Sequence, residues 1–372
     1  MPTPSVRRRI RVSGIVQGVG FRPFVFNLAN EMDLVGFVGN DTDGVFIEIG
    51  GEAPTLERFV AALEVSAPAA ARIQQIKSED IESIDDTSFR IVASHHAETG
   101  TALVSPDLRT CDDCLRELHD PGDRRYGYPF INCTNCGPRF TITQRTPYDR
   151  PSTTMRPFEM CDACLAEYRD PVDRRFHAQP NACPECGPSL RTIPPTEDPI
   201  GDTRRRISAG EVVAIKGLGG FHLACDATSD AAVALLRERK GRVEKPFAVM
   251  VSNVETARSI GHIDADEVRL LTSQERPIVL LARRMTTTVS EFVAPGNGCL
   301  GVMLPYTPLH ALLIEPGEVW VMTSGNLSEE PIVTDNDDAV ARLSTLADAF
   351  VLHDRDIHVP CDDSVMRVLD GA

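Results

Sequence analysis

The chain has 372 residues, enough for two or three domains, and no apolar run approaches the length of a membrane span. Its 42% hydrophobic and 25% charged content is that of a globular protein. A net charge of −16 argues against a chain whose main task is to grip nucleic acid or an anionic membrane, so basic clusters need local explanations.

Residues 7–16 alternate like a strand, and the basic start MPTPSVRRRIRV runs straight into that pattern, unlike a targeting peptide. GIVQGVGFRP (14–23) follows, with three glycines in seven positions and Arg22 close behind. Such a loop can turn several backbone N–H groups toward an anion, and a helix expected over 24–32 adds the field of its N-terminus. Two β runs (34–40 and 44–49) flank Asp41-Thr42-Asp43 as a hairpin. An amphipathic helix over 54–65 puts Leu56, Phe59, Val60 and Leu63 on one face, and strands near 73–76 and 89–92 close the unit. The order βαββαβ predicts a ferredoxin-like α+β plait, with helices on one face of an antiparallel sheet.

On glycine content alone the 14–23 loop reads as a tight turn. The string VQGVGFR followed by GFVGN (36–40) resembles the acylphosphatases. That resemblance implies a phosphate-binding loop at Gln17, Gly18, Val19, Gly20 and Phe21, a phosphoryl-holding Arg22, and an Asn40 that positions the attacking water. Hydrolysis of an acyl phosphate needs charge stabilisation on the phosphoryl oxygens and an oriented water, and Arg suits a bidentate grip on phosphate.

Residues 95–101 read as a linker. Beyond them lie eight of the eleven cysteines, as four CxxC pairs: Cys111/Cys114, Cys133/Cys136, Cys161/Cys164 and Cys183/Cys186. Eighteen residues separate the pairs within each half, and everything recurs fifty residues on: DPGDRR (120–125) as DPVDRR (170–175), and CGP (136–138) as CGP (186–188). This is a tandem repeat of one small module. Two knuckles at this spacing supply the four thiolates of a closed, structural zinc site, so two zinc ions are expected. Cys111–Cys136 is assigned to one ion and Cys161–Cys186 to the other; crossed pairing, disulfides and iron–sulfur binding are the alternatives. Cysteines in metal knuckles point to a reducing compartment, hence the cytoplasm. Modules this small need metal for much of their folding energy. Arg124-Arg125 and Arg174-Arg175, each followed by an aromatic (Tyr126, Phe176), could read nucleic acid. The favoured reading closes each Arg on a nearby Asp, with the aromatic packed under the knuckle. Residues 191–201, rich in proline, read as the next linker.

A helix from 204, a short buried strand (211–215) and KGLGGFHLACDA (216–227) follow. Lys216 at a strand end before three glycines is a phosphate-binding arrangement, though no Walker loop. After a helix (231–240), Lys240, Arg242 and Lys245 place three cations within six positions, which suggests an anionic ligand. Then come a strand (276–284), a turn into a helix (304–313), a strand into a loop (319–332) and VLHDRDI (351–357). KGLGGFHL, the Lys240/Arg242/Lys245-Pro-Phe cluster and SGNLSEEPI (324–332) resemble the YrdC-like domain, which adenylates a carbamate-type carboxylate with ATP. The resemblance implies a twisted open α/β sheet with a concave surface. It places Lys216, Lys240, Arg242 and Lys245 near phosphates and carbamoyl group, and Ser324 and Asn326 at the nucleotide end. Alone, Ser324-Gly325-Asn326 would be a plain turn. Cys225, Cys299 and Cys361 read as buried small hydrophobes, and His222 and His353 as structural more than ligand-contacting.

The expected fold class is therefore multi-domain α+β: an acylphosphatase-like plait (1–95), two four-cysteine modules (105–192, as 105–142 and 155–192) and a YrdC-like α/β domain (196–372). In this order the pieces resemble the N-terminal part of the HypF family of hydrogenase-maturation carbamoyltransferases. That resemblance implies hydrolysis of carbamoyl phosphate to carbamate, its adenylation with ATP and magnesium, and transfer to the C-terminal cysteine of HypE as precursor of the cyanide ligands of [NiFe]-hydrogenase. The chain stops at Ala372, before the Arg-rich segment and transferase domain usual in the family. A fragment or split form is therefore expected, with hydrolysis retained, adenylation weakened and transfer to HypE not expected of this chain alone. The competing readings are a stand-alone acylphosphatase, a threonylcarbamoyl-adenylate synthase of tRNA modification, and a non-enzymatic zinc-ribbon scaffold. No membrane and no nucleic-acid partner are expected.

Overall fold

The computed structural model describes residues 5–82, 86–95, 102–242, 244–327 and 330–369. Most of the expected linker after His95, from His96 to Thr101, lies outside them, as do Val243 of the cationic cluster and Ser328 and Glu329 of SGNLSEEPI. Two compact units are present: residues 1–107 with 132–186, and residues 108–131 with 187–372.

The first unit is built on β1 (Ser5–Ile15), α1 (Phe21–Glu31), β2 (Val35–Asp41), β3 (Gly44–Glu52), α2 (Ala53–Val65), β4 (Arg72–Ile81) and β5 (Phe89–Ile91). The sheet order is β4-β1-β3-β2-β5. The first four strands form the expected antiparallel plait, but β5 joins β2 in parallel, Phe37 opposite Arg90. Alternation in β1 buries Ile10 and Val12 against Ile47, Ile49, Val25, Leu28, Leu56 and Phe59, which is the core of the plait. The opposite face carries charge: Arg9 pairs with Glu48 at 3.0 Å and Arg11 with Asp41 at 2.6 Å. Gly14 bends β1 at a bulge, with φ 119°; a Cβ there would sit 2.2 Å from Arg72 O.

The repeat is reproduced in three dimensions. α3 (Asp112–His119) and α4 (Asp162–Arg169) start directly after Cys111 and Cys161, which are their N-cap residues. The first pair of each module therefore sits on a helix start; the helix N-terminus favours thiolate there. The second pair closes a tight turn, Cys186 N donating to Cys183 O at 3.1 Å. Asp123 N→Asp120 O and Asp173 N→Asp170 O, at 3.0 and 3.1 Å, mark the same turn in both copies. Arg125 and Arg175 are buried, Arg175 donating through Nε to Asn132 O at 3.2 Å. Buried guanidinium groups of this kind do not read nucleic acid. Phe176 packs inside as expected, whereas Tyr126 is exposed, although the residue after each, Gly127 and His177, holds the same left-handed backbone (φ 66° and 54°).

The second unit adds β6 (Leu190–Ile193), α5 (Pro199–Ser208), β7 (Val213–Lys216), β8 (Phe221–Asp226), α6 (Asp230–Lys240), β9 (Ala248–Val251), α7 (Val254–Ile260), β10 (Gly261–His262), α8 (Ala265–Thr272), β11 (Ile278–Arg283), β12 (Cys299–Met303), α9 (Pro308–Leu313), β13 (Val319–Ser324), α10 (Asn336–Leu343), β14 (Ala349–His353) and β15 (Val365–Met366). They form one mixed sheet, β10-β11-β12-β9-β13-β8-β7-β14-β6, with β15 also on β11. Residues 190–193, inside and beside the expected linker, are an edge strand paired to β14. Both faces are covered: Val212 and Ala214 point into one core with Leu223, Val249 and Val321, and Val213 and Ile215 into the other with Met250, Trp320 and Leu309. Cys225 is buried in the first core, and burial pushes its thiol far above the usual range. Cys299 is only half-buried and Cys361 is exposed, so neither is the buried hydrophobe expected; Cys361 lies in a surface segment that merely passes over Gly219. No helix among the described residues is long and apolar enough to cross a membrane.

Candidate functional site

The first site grows out of the turn between β1 and α1. Gly18 and Gly20 hold φ 74° and 75°, and Gly20 is the left-handed N-cap of α1. The helix begins at Phe21, three residues earlier than the sequence suggested, so Arg22 lies in its first turn. Gln17 is the strut of the loop: Nε2 donates to Asp41 O at 2.7 Å and Gly44 O at 2.8 Å, and Oε1 accepts from Tyr148 N at 2.9 Å. A cavity of about 20 Å³ is lined by Gln17, Gly18, Gly20, Phe21, Arg22 and Asn40. Val19 is buried in the plait core beneath.

Arg22 and Asn40 thus meet in one place. Arg22 is buried, and its Nη2 donates to Asp149 Oδ1 at 2.9 Å. Asn40 is 1% exposed, yet neither Oδ1 nor Nδ2 makes a hydrogen bond among the described residues. An unpaired buried amide costs about 1–3 kcal/mol. Its persistence against a cavity that also presents a guanidinium and a helix N-terminus marks a place for a polar ligand.

No motif in the sequence marks the rest of the wall. Thr134, Arg139, Tyr148, His177 and Gln179 also line the cavity. Arg139, buried, donates through Nε to Gly18 O and through Nη2 to Thr134 O at 3.0 Å, which ties the loop in place. Burial, then Arg22, pushes His177 down to about 4, so its ring is neutral near pH 7. These residues lie over a hundred positions from the loop, with no motif to join them to it.

The two four-cysteine groups are Cys111, Cys114, Cys133, Cys136 and Cys161, Cys164, Cys183, Cys186, as the uncrossed pairing predicts. A tetrahedron with Zn–S of about 2.3 Å has S···S edges of about 3.8 Å. Sγ–Sγ distances are 3.8 Å for Cys133/Cys136, 3.7 Å for Cys161/Cys183, 3.8 Å for Cys183/Cys186 and 3.5 Å for Cys186/Cys164. These fit zinc, and they are far longer than a disulfide.

In the second unit the structure brings Lys240, Arg242, Ser324 and Asn326 together. Lys240 Nζ donates to Ser324 O (2.7 Å), Asn326 O (3.0 Å) and Asn326 Oδ1 (3.1 Å), and Ser324 Oγ donates to Asn326 Oδ1 at 2.9 Å. Arg242 Nη1 donates to Thr323 Oγ1 at 2.9 Å and lies over the Phe247 ring. Burial, then Arg242 and Lys245, pushes Lys240 down to about 8. Lys245 itself is exposed. Lys216, at the end of β7, donates to His353 O at 3.2 Å, and burial pushes it down to about 8. The glycines after it serve close approach: a Cβ on Gly219 would sit 2.1 Å from Cys361 O, and one on Gly220 2.5 Å from Ile332. The sequence did not point to the buried His310, whose ring nitrogens are both unpartnered, or to Asp363, 2.8 Å from His222 Nε2.

Three family models match. The acylphosphatase model covers residues 8–91, the HypF finger model 110–143 and 160–193, and the Sua5/YciO/YrdC model, described as telomere recombination, 205–372. Carbamoyltransferase HypF2 of Cupriavidus necator is 53% identical over 98% of this chain and 48% of its own length. The chain belongs to the HypF carbamoyltransferase family. It spans about half the length of the curated relatives it matches. A crystal structure of full-length HypF in the phosphate- and nucleotide-bound form superposes with a TM-score of 0.95 at 48% identity, over 99% of this chain and 49% of that one. The acylphosphatase of Pseudothermotoga lettingae is 44% identical over 22% of this chain and 93% of its own length. HypF finger modules and the two cysteine tetrads together make this a zinc-binding member of the family.

Proposed function

We propose that this chain hydrolyses carbamoyl phosphate at the Arg22–Asn40 cavity and adenylates the carbamate at the Lys240–Asn326 cluster, as part of carbamoyl transfer in [NiFe]-hydrogenase maturation. The observation that carries this is Asn40: a buried, unpartnered amide facing the same cavity as Arg22 and the loop glycines. In the first step the loop amides and Arg22 hold the phosphoryl oxygens, and Asn40 orients a water. The water oxygen bonds to phosphorus, the bridging P–O bond breaks with its electrons going to the carbamate oxygen, and a proton leaves the water. Carbamate and phosphate result.

In the second step a carbamate oxygen attacks the α-phosphorus of ATP and pyrophosphate leaves. Lys216, Lys240, Arg242 and Lys245 supply the positive charge that this build-up of negative oxygen needs, with magnesium as the metal partner of ATP, and Ser324 and Asn326 supply polar contacts. Carbamate is short-lived in water, so joining the two activities in one chain raises its effective concentration. Transfer to HypE and a cytoplasmic setting follow from the same reading. Phosphate release from carbamoyl phosphate, run with and without ATP and with pyrophosphate read in parallel, tests it. Phosphate in both conditions, and pyrophosphate only with both substrates present, is the expected pattern. An absence of phosphate release by the zinc-loaded chain contradicts the first step.

A further inference from the structure

A carboxylate beside a phosphate-gripping arginine is an electrostatic liability: it competes with the phosphoryl group for the guanidinium. Asp149 is such a carboxylate, and it is held there firmly. The neighbouring Arg150 donates to Gln179 O at 2.6 Å, Asn181 O at 2.9 Å and Phe158 O at 3.1 Å, and its backbone N to Gln179 Oε1 at 2.8 Å. This clamp fixes the short 3-10 turn Arg150–Ser152, and Asp149 is the residue directly before it. Asp149 Oδ1 takes the Arg22 hydrogen bond, while Oδ2 makes none among the described residues.

Next to the small cavity lies a second, of about 650 Å³, also bordered by Arg22, His177 and Gln179, with Asp149, Ser94 and Tyr168 added. Arg22 is thus shared between a narrow pocket at the glycine loop and a wider chamber. His177 borders both, its ring packed on Phe176 and Tyr168. Asp149 and His177 lie outside residues 8–91, the part of the chain that matches the acylphosphatases.

We propose that Asp149 is a specificity-determining residue: its free carboxylate oxygen accepts an N–H of the carbamoyl group, and the site thereby selects carbamoyl phosphate over acyl phosphates that carry carbon at that position. The inference rests on the proposed hydrolysis at Arg22 and Asn40. With the phosphoryl group on the loop amides, the acyl end faces the shared wall. There the carbamoyl NH2 offers two donors where acetyl phosphate offers a methyl group. A site built around such an acceptor discriminates, because the analogue leaves that carboxylate oxygen without the hydrogen bond the carbamoyl group supplies. The neutral His177 ring beside it does not quench the carboxylate, as an imidazolium would.

The test compares kcat/KM for carbamoyl phosphate and acetyl phosphate in the full 372-residue chain, loaded with zinc. The parent is expected to favour carbamoyl phosphate by at least about tenfold. Asp149→Ala should collapse that ratio toward one, and Asp149→Asn, which keeps an acceptor oxygen without the charge, should fall between. Zinc content and melting temperature of each variant confirm folding, and should Asp149→Ala not fold, the isosteric Asp149→Asn still reads the ratio. A ratio that stays within twofold of the parent in Asp149→Asn and Asp149→Ala, or a parent that hydrolyses both substrates equally, overturns the inference and leaves the hydrolysis reading intact. No release from either substrate by the parent overturns the hydrolysis reading itself.

Discussion

The two candidate sites are built on opposite principles. At the first, a ligand-facing polar group is left unfinished: Asn40 is buried with no partner among the described residues, while Arg22 bonds Asp149 at 2.9 Å and reaches Ser94 Oγ and Tyr148 O only at 3.4 and 3.5 Å. At the second, the cations are already occupied by the protein's own main chain. Lys240 is bonded to Ser324 O and Asn326 O, and Lys216 to His353 O. The first site stores an unpaired hydrogen-bonding group that a ligand can complete. The second must exchange internal bonds for ligand bonds, so its affinity is set by a difference between two satisfied states.

Zinc removal should separate the two most sharply. The 161–186 module belongs to the unit that holds Arg22, and structural zinc contributes about 10–16 kcal/mol to such modules. Cys164→Ser should lower bound zinc from two ions to one and abolish phosphate release. ATP binding by residues 187–372, read by calorimetry, should persist; its loss would show that the sites are not separable in this way. Next in size, Arg22→Lys keeps the charge but loses the planar fork, and should cut phosphate release by roughly 10²–10³-fold. A rate within threefold of the parent would mean that charge alone suffices there.

How much of this was legible in the sequence differs between the sites for a physical reason. The plait, the repeat and the cysteine pairing follow from local spacing: alternation in β1, a fifty-residue period, two residues between thiols. Gln17 to Arg22 announce themselves because the loop needs glycines at φ near 75°. Asp149 and His177 are invisible, since what places them is the Arg150 clamp and the packing of His177 on Tyr168, contacts with no sequence period. Glycines after Lys216 suggest a phosphate cradle in the sequence; what the sequence does not show is that Gly219 and Gly220 also admit Cys361 and Ile332 at close range. The edge strand β6 hid behind the two prolines that follow it, and β5 is too short for its direction to be read.

Two smaller effects probe the second site. Gly219→Ala would drive a Cβ into the Cys361 carbonyl, and should lower the urea midpoint by an amount worth about 1–3 kcal/mol and loosen residues 361–369 to protease. An unchanged midpoint would show that the segment moves freely. The pH dependence follows from the lysines. Both are held near 8, below the usual value, so in the folded chain they lose charge as pH rises through about 8, while in the unfolded chain they stay protonated to about 10.5. Between these values the unfolded state binds more protons, so this contribution to stability rises with pH as ATP affinity falls. ATP titrations at pH 7 and pH 9.5 should show weaker binding at the higher pH; equal affinity would remove Lys216 and Lys240 from the nucleotide site.

The most direct measurement compares phosphate release from carbamoyl phosphate with thermal stability in Asn40→Ala. Removing a buried amide that has no partner should leave the melting temperature unchanged or raise it, because an unsatisfied group is deleted. If Asn40 positions the water, release should fall by roughly 10²-fold or more at the same time. Lost activity in an equally stable protein is the predicted result. Release at the parent rate would contradict the account.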